Sequence, residues 1–218
     1  MNLESLRNTH FESDVFVIGS GKTLEFYDPM FFQNRITIGV NQGWSNHLHK
    51  VDYMVTKYHA NALEWRDNPR AGQVVVTRGD RGHLRRWISD DRDLIVVDHN
   101  ENTVKGWKAD QWPKSFHALV ATHSTITTAM HLAAYLGAAN IFMVAADCGD
   151  LDGQRTTRGH DPRQTNLDTL KSFEIQNRIV KAELEKRYRC RVMTLLPFAT
   201  PNMDGHKFES HAGKLNAT

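Results

Sequence analysis

Val15-Phe16-Val17-Ile18-Gly19-Ser20-Gly21-Lys22-Thr23 decides the fold. Four apolar residues in succession, with no polar residue at alternate positions, read as a strand buried on both faces and ended by glycine. Strands of that kind belong to parallel sheets with helices packed on them. Working outward, six more runs carry the same signal: Ile36-Thr37-Ile38-Gly39-Val40, Tyr53-Met54-Val55, Val74-Val75-Val76, Leu94-Ile95-Val96-Val97, Ile141-Phe142-Met143-Val144 and Arg191-Val192-Met193-Thr194-Leu195-Leu196.

Between these runs the hydrophobic period changes to that of a helix. Ile126, Ala129, Met130 and Ala133 recur at helical spacing across residues 124–136, and Gly137 stands where a helix C-terminal glycine belongs. The longest helical pattern covers residues 162–188, with Leu167, Leu170, Phe173, Asn177, Val180 and Leu184 on one stripe. Asp161 before Pro162, or Thr165 with Asp168, is expected to cap its start. Alternating strands and helices over 218 residues predict an α/β fold: one Rossmann-like domain, its mostly parallel sheet covered by helices on both faces. Residues 98–117, which contain Trp107, Trp112 and Pro113 without a clear period, are expected to form an irregular segment or lid. The polar stretch 205–218 is expected to fray.

Composition narrows the function classes. Hydrophobic residues at 40% and charged residues at 24% fit a folded globular chain, and a net charge of +2 with scattered basic residues does not favour nucleic acid. The N-terminus lacks a signal-peptide core and no apolar run reaches membrane-spanning length, so a cytoplasmic protein is expected. Cys148 and Cys190 form no closely spaced metal-ligand pair and are expected to be reduced, buried or half-buried thiols.

The turn Gly19-Ser20-Gly21-Lys22-Thr23 imitates a Walker loop, but that motif needs a glycine five positions before Gly21, where Phe16 stands inside the strand. The dinucleotide fingerprint is also incomplete, because Leu24 occupies the position of its third glycine. What remains is a strand end, two glycines that let backbone approach closely, and a short helix expected over residues 24–32, a setting suited to a phosphate or a ribose edge. The second strand places Asn41 and Gln42 at the same carboxyl edge, where open α/β sheets bind ligands. Ser124 and Thr125 open a helix there, serving as caps, as ligand donors, or as both. Lys57, Tyr58 and His59 follow the third strand at that edge.

Together these motifs resemble the bacterial lipooligosaccharide sialyltransferases and the broader group of motility-associated glycosyltransferases and hydroxymethylpterin pyrophosphokinases. In the sialyltransferases the first strand ends in Gly-Asn-Gly-Pro-Ser-Leu, similar to residues 19–24 in its glycines and leucine, and the second in Cys-Asn-Gln, similar to Val40-Asn41-Gln42. A Thr-Ser-Gly helix start resembles His123-Ser124-Thr125, and the strand that ends in aspartate resembles residues 135–147. The family's Gly-His pair, which carries its general base, matches Gly159-His160. The chain departs from the family where the latter has tyrosines against the leaving phosphate, since residues 148–159 hold no tyrosine and offer Arg155, Thr156, Thr157 and Arg158 instead.

The resemblance implies transfer of a sugar, with inversion, from a nucleotide-sugar donor, a CMP-linked one by preference, to a hydroxyl on a glycan or other acceptor. Such a reaction needs a base for the acceptor proton and donors for the leaving phosphate. His160 is the implied base, and Arg155 and Arg158 are suited to clamp phosphate. Gly19, Ser20, Gly21, Lys22, Thr23, Asn41, Gln42, Ser124, Thr125 and Asp147 are the expected nucleotide-binding residues. No cofactor is required by this reading and no metal set is assigned, although Asp147, Asp150 and Asp152 offer hard oxygens that suit Mg²⁺. Two alternatives stay open. One is an ATP- and Mg²⁺-dependent pyrophosphokinase-like enzyme centred on those aspartates; the other is a nucleotide-binding module without catalysis.

Overall fold

The computed structural model describes residues 2–77, 94–97, 107–115, 118–151, 153–158 and 166–197. All seven apolar runs become strands: β1 Asp14–Ile18, β2 Ile36–Val40, β3 Val51–Thr56, β4 Ala71–Thr77, β5 Ile95–Val97, β6 Asn140–Val144 and β7 Arg191–Leu195. They pair in the order β5-β4-β3-β2-β1-β6-β7, every neighbour parallel. After β5 the chain returns to lay β6 against the other side of β1, so the direction of winding reverses between β1 and β6. A crevice at the carboxyl ends of these strands follows from that reversal.

Alternation along β1 feeds two cores. Val15 and Val17 join the cluster on one face, and Phe16 and Ile18 the cluster on the other. All four are at most 1% exposed, and burial of such side chains is worth roughly 1.5–3 kcal/mol each. Two helices cover the first face, α2 Thr125–Tyr135 and α3 Leu167–Tyr188. On the second lie α1 His59–Arg66, with Trp65 against Trp44, and two 3₁₀ turns, Lys22–Phe26 and Pro29–Phe32. Strand β7 differs, because it closes the sheet edge and leaves Met193 36% exposed.

Local chemistry explains the boundaries. Gly137 ends α2 at φ 93°, with its N–H donating to Ala134 O and the Ala138 N–H to Ala133 O, the two bonds of a Schellman motif. Helix α3 begins at Leu167 because the Asn166 side chain accepts from the Thr169 N–H. Neither Thr165 nor Asp161 is that cap; both lie outside the described residues, and Asp168 sits in the first turn. The short helix expected over residues 24–32 is split in two, since Asp28 precedes Pro29 in extended conformation and accepts from the Met30 N–H. Of the expected lid, residues 107–115 are packed down, with Trp107 1% exposed and Trp112 against His131 and Tyr188. The remainder of that segment and the tail 205–218 lie outside the described residues. Cys148 and Cys190 are free thiols, half-buried and buried.

Candidate functional site

A cleft of about 480 Å³ opens at the carboxyl edge, at the reversal point of the sheet. Ser20 and Gly21 follow β1 into it, Asn41 and Gln42 follow β2, and Asp147 follows β6. Ser124 and Thr125 enter from the start of α2. Four separate segments therefore bring together most of the expected nucleotide-binding residues.

The glycine turn meets the rest of the site through packing rather than through unusual torsion. Gly21 has an ordinary φ of −65°, and neither Gly19 nor Gly21 is among the left-handed glycines. Instead, a methyl group on Gly19 would strike the Ala145 carbonyl, and one on Gly21 the Asp147 carboxylate. Close approach lets the Gly19 N–H donate to Val144 O at 2.8 Å and the Gly21 N–H to Ala145 O at 2.9 Å. Asp147 then closes the turn: its carboxylate accepts from the Thr23 N–H at 2.9 Å and from the Thr23 hydroxyl. Burial raises the Asp147 pKa, and the two bonds from Thr23 oppose that rise. Several amides of the turn are thus bonded inside the protein, and Ser20 and Gly21 present the surface that faces the cleft.

Lys22 points elsewhere. Its ammonium pairs with Glu25 at 2.7 Å, and Glu25 also accepts from the Arg158 N–H at 2.7 Å. Burial works against ionisation of Glu25, but Lys22 and that amide together hold its carboxyl below the usual range. Arg158 is exposed and tied through its backbone, its carbonyl accepting from the Asn46 side chain at 2.9 Å, whereas Arg155 lines the cleft. Asp150 is exposed; Asp152, Gly159 and His160 lie outside the described residues.

Asn41 is oriented by its neighbours. It takes φ 53°, its carbonyl accepts from the Trp44 indole at 2.9 Å, and its side-chain oxygen accepts from the Thr56 hydroxyl at 3.1 Å. Its Nδ2 group consequently has no partner among the described residues and is a donor for an acceptor atom in the cleft. Gln42 Oε1 is buried and likewise without a partner among the described residues. Ala145 and Cys148 share the left-handed backbone at φ 51° each, a conformation that costs roughly 1–2 kcal/mol per non-glycine residue. Three such residues on one cleft wall place backbone strain at the site.

Other lining residues were not singled out as a site from the sequence. Leu170 and Phe173 of α3 form part of the wall although their helical stripe reads as core, and the His123 ring packs edge-on against Phe173 at 5.0 Å. Cys148 also lines the cleft, its thiol accepting from Asn177 at 3.6 Å, and burial pushes its pKa up to about 11. That thiol is protonated at neutral pH and is no ready nucleophile. Among the described residues no group of three or more His, Cys, Asp or Glu side chains is arranged to hold a metal ion, and no helix is long and apolar enough to cross a membrane.

No protein-family model matches the sequence, and no curated protein matches it. The fold is similar to that of the sialyltransferase CstII from Campylobacter jejuni, solved with the substrate analogue cytidine-5′-monophosphate. That likeness has a TM-score of 0.53 at 17% identity and covers 86% of this chain and 82% of the other. A CST-II structure with a trisaccharide acceptor and CMP gives 0.48 at 13% identity over 85% and 82% of the two chains. The MAf glycosyltransferase of Magnetospirillum magneticum AMB-1 gives 0.48 at 13%, over 97% of this chain and 38% of that one. The first likeness agrees with the Rossmann-like α/β fold read from the strands, and its protein comes from the group that the sequence motifs resemble.

Proposed function

We propose that the protein is a glycosyltransferase that moves a sugar from a nucleotide-sugar donor, a CMP-linked one by preference, to an acceptor hydroxyl with inversion. The observation that carries this reading is the convergence of Ser20, Gly21, Asn41, Gln42, Ser124 and Asp147 on one cleft at the sheet's reversal point. Asn41 Nδ2 supplies a donor for a base or ribose oxygen, the start of α2 supplies donors for phosphate, and Arg155 supplies positive charge as the phosphate leaves. His160 is the proposed general base, which takes the acceptor proton as the hydroxyl oxygen attacks the sugar carbon. Gln42, whose oxygen lacks an internal partner among the described residues, suits a sugar hydroxyl or an exocyclic amine. No metal is needed for this chemistry.

A thermal-shift panel of CMP, CDP, UDP, GDP and ATP, each with and without Mg²⁺, tests the reading. A ligand that binds only the folded state at a hundred times its Kd adds about 2.7 kcal/mol of stability. Stabilisation by CMP without Mg²⁺ is expected. Stabilisation by ATP with Mg²⁺ and by no cytidine nucleotide would replace the glycosyltransferase with the pyrophosphokinase-like enzyme. With a CMP-sugar that is turned over, His160→Ala is expected to abolish transfer and leave CMP affinity unchanged; undiminished turnover removes His160 from the mechanism.

A further inference from the structure

Gln176 belongs to the buried face of α3 and is 2% exposed. A side-chain amide inside a protein must find partners, because a polar atom left unpaired there costs free energy. Its Oε1 accepts from two successive backbone amides of another segment, the His123 N–H at 2.9 Å and the Ser124 N–H at 3.3 Å. Its Nε2 donates to Ser172 Oγ at 3.3 Å, one turn earlier on the same helix. Both His123 and Ser124 line the cleft, and Ser124 is the residue from which α2 starts.

The neighbours of Gln176 serve the same wall. Phe173, three residues earlier and so on the same side of the helix, packs against the His123 ring, and Asn177, next in the chain, donates to Cys148 Sγ. One turn of α3 thus holds the cleft at three points: a ring, a stretch of backbone, and the thiol beyond β6. At the middle point the consequence is chemical. A serine at a helix start ordinarily turns its hydroxyl back on the amides of the first turn, but the Ser124 side chain makes no cap bond. The Ser124 carbonyl accepts from the Thr127 hydroxyl at 2.7 Å, and its N–H is shared between Gln176 and the Thr122 hydroxyl at 3.1 Å. The backbone is held on both sides while the hydroxyl stays uncommitted to the helix.

We infer that Gln176 is a positioning residue for a phosphate-bearing ligand: by holding the His123 and Ser124 amides it sets the Ser124 hydroxyl and the Thr125 and Ile126 amides against the phosphate. Those two amides open α2, where the helix itself supplies no acceptor, and both residues line the cleft. This rests on the nucleotide-binding reading of the cleft and deepens it, since the Ser124 N–H, bonded inside the protein, is not among the phosphate donors.

Calorimetric titration with CMP and with cytidine tests it, the ratio of the two affinities being the contribution of the phosphate. Gln176→Leu fills similar space without an acceptor. It is expected to weaken CMP about ten-fold, the scale of a charge-assisted hydrogen bond, and to change cytidine affinity less than about two-fold. Gln176→Glu keeps an acceptor for both amides, which hold its carboxyl ionised, and places a negative charge behind Ser124. It is expected to weaken CMP at least as much, with cytidine unaffected. A glutamine that served the fold alone would behave differently: its removal would lower the melting temperature and weaken CMP and cytidine alike, and that outcome overturns the proposal. So does wild-type CMP affinity in Gln176→Leu. Should the leucine variant fail to fold, the glutamate variant decides, because a charge behind Ser124 that left the ratio unchanged would put the phosphate elsewhere in the cleft. Each of these outcomes leaves the nucleotide site standing, whereas failure of wild-type protein to bind any nucleotide brings down that reading and the role of Gln176 together.

Discussion

Polar groups at the middle of helix α2 and those that share the cleft with its start are treated in opposite ways. At its middle, His131 is 2% exposed and fully paired: Nδ1 accepts from the Val120 N–H at 2.8 Å, Nε2 meets the Tyr188 hydroxyl at 2.7 Å, and Trp112 lies on the ring at 4.7 Å. At its start, beside Ser124 and Thr125, Asn41 and Gln42 each keep one polar atom without an internal partner among the described residues. Complete pairing marks a group that holds the fold. Pairing on one side alone leaves a group oriented for something outside the chain. The comparison can be broken at either end.

The largest expected effect is at His131. Burial, with a smaller contribution from Arg187, lowers its pKa to about 3 against an ordinary 6.5. Since Nδ1 accepts a hydrogen bond, the neutral ring carries its proton on Nε2 and donates to Tyr188. In the folded protein the ring refuses a second proton that the unfolded chain accepts below pH 6.5. Stability from this group is therefore complete above 6.5 and lost as pH falls toward 3. The slope across that window approaches 1.4 kcal/mol per pH unit. His131→Asn, which cannot titrate, should lower stability at pH 7 and lose that part of the acid slope in urea melts. Equal slopes in the two proteins would show that the histidine is not held neutral by the fold.

A smaller effect is expected at the glycine turn. Gly21→Ala places a methyl group against the Asp147 carboxylate that bonds Thr23. The clash should cost about 1–3 kcal/mol, and it displaces a cleft wall, so CMP affinity should fall with it. His131→Asn, assayed below its melting temperature, should leave CMP affinity intact. If Gly21→Ala lowered stability without touching CMP affinity, the turn would belong with the structural half of the comparison.

The parts of this division legible in the sequence follow from local pattern. Apolar runs located all seven strands of the described residues, and Gly137 gave the end of α2. The carboxyl edge was readable too, because the strands order the residues that follow them. The reason for Gly19 and Gly21 was not, since the obstacles are Ala145 and Asp147, and Thr23 meets Asp147 across 124 residues of chain. Leu170 and Phe173 were misleading for a related reason: a helical stripe reports that a face is covered, and the same period serves a core and a cleft wall. Nor does local pattern report the burial of Lys57, which depends on Thr122 in a distant loop.

The finest test lies in Asn41. Because the Thr56 hydroxyl donates to its oxygen, the amide nitrogen is the atom left for a ligand. Asn41→Asp retains an acceptor for Thr56 and replaces the outward donor with a carboxylate oxygen. It also adds negative charge beside the proposed phosphate. Fold stability should change by about 1 kcal/mol or less, since the inward bond survives, whereas CMP affinity should fall about ten-fold or more from the lost hydrogen bond alone. Asn41→Ala loses the donor without adding charge and should show a smaller fall, which separates the two contributions by calorimetry. A stability loss in Asn41→Asp as large as that of His131→Asn, with CMP affinity unchanged, would mean that one-sided pairing at this edge is a matter of folding and that the ligand is oriented from elsewhere in the cleft.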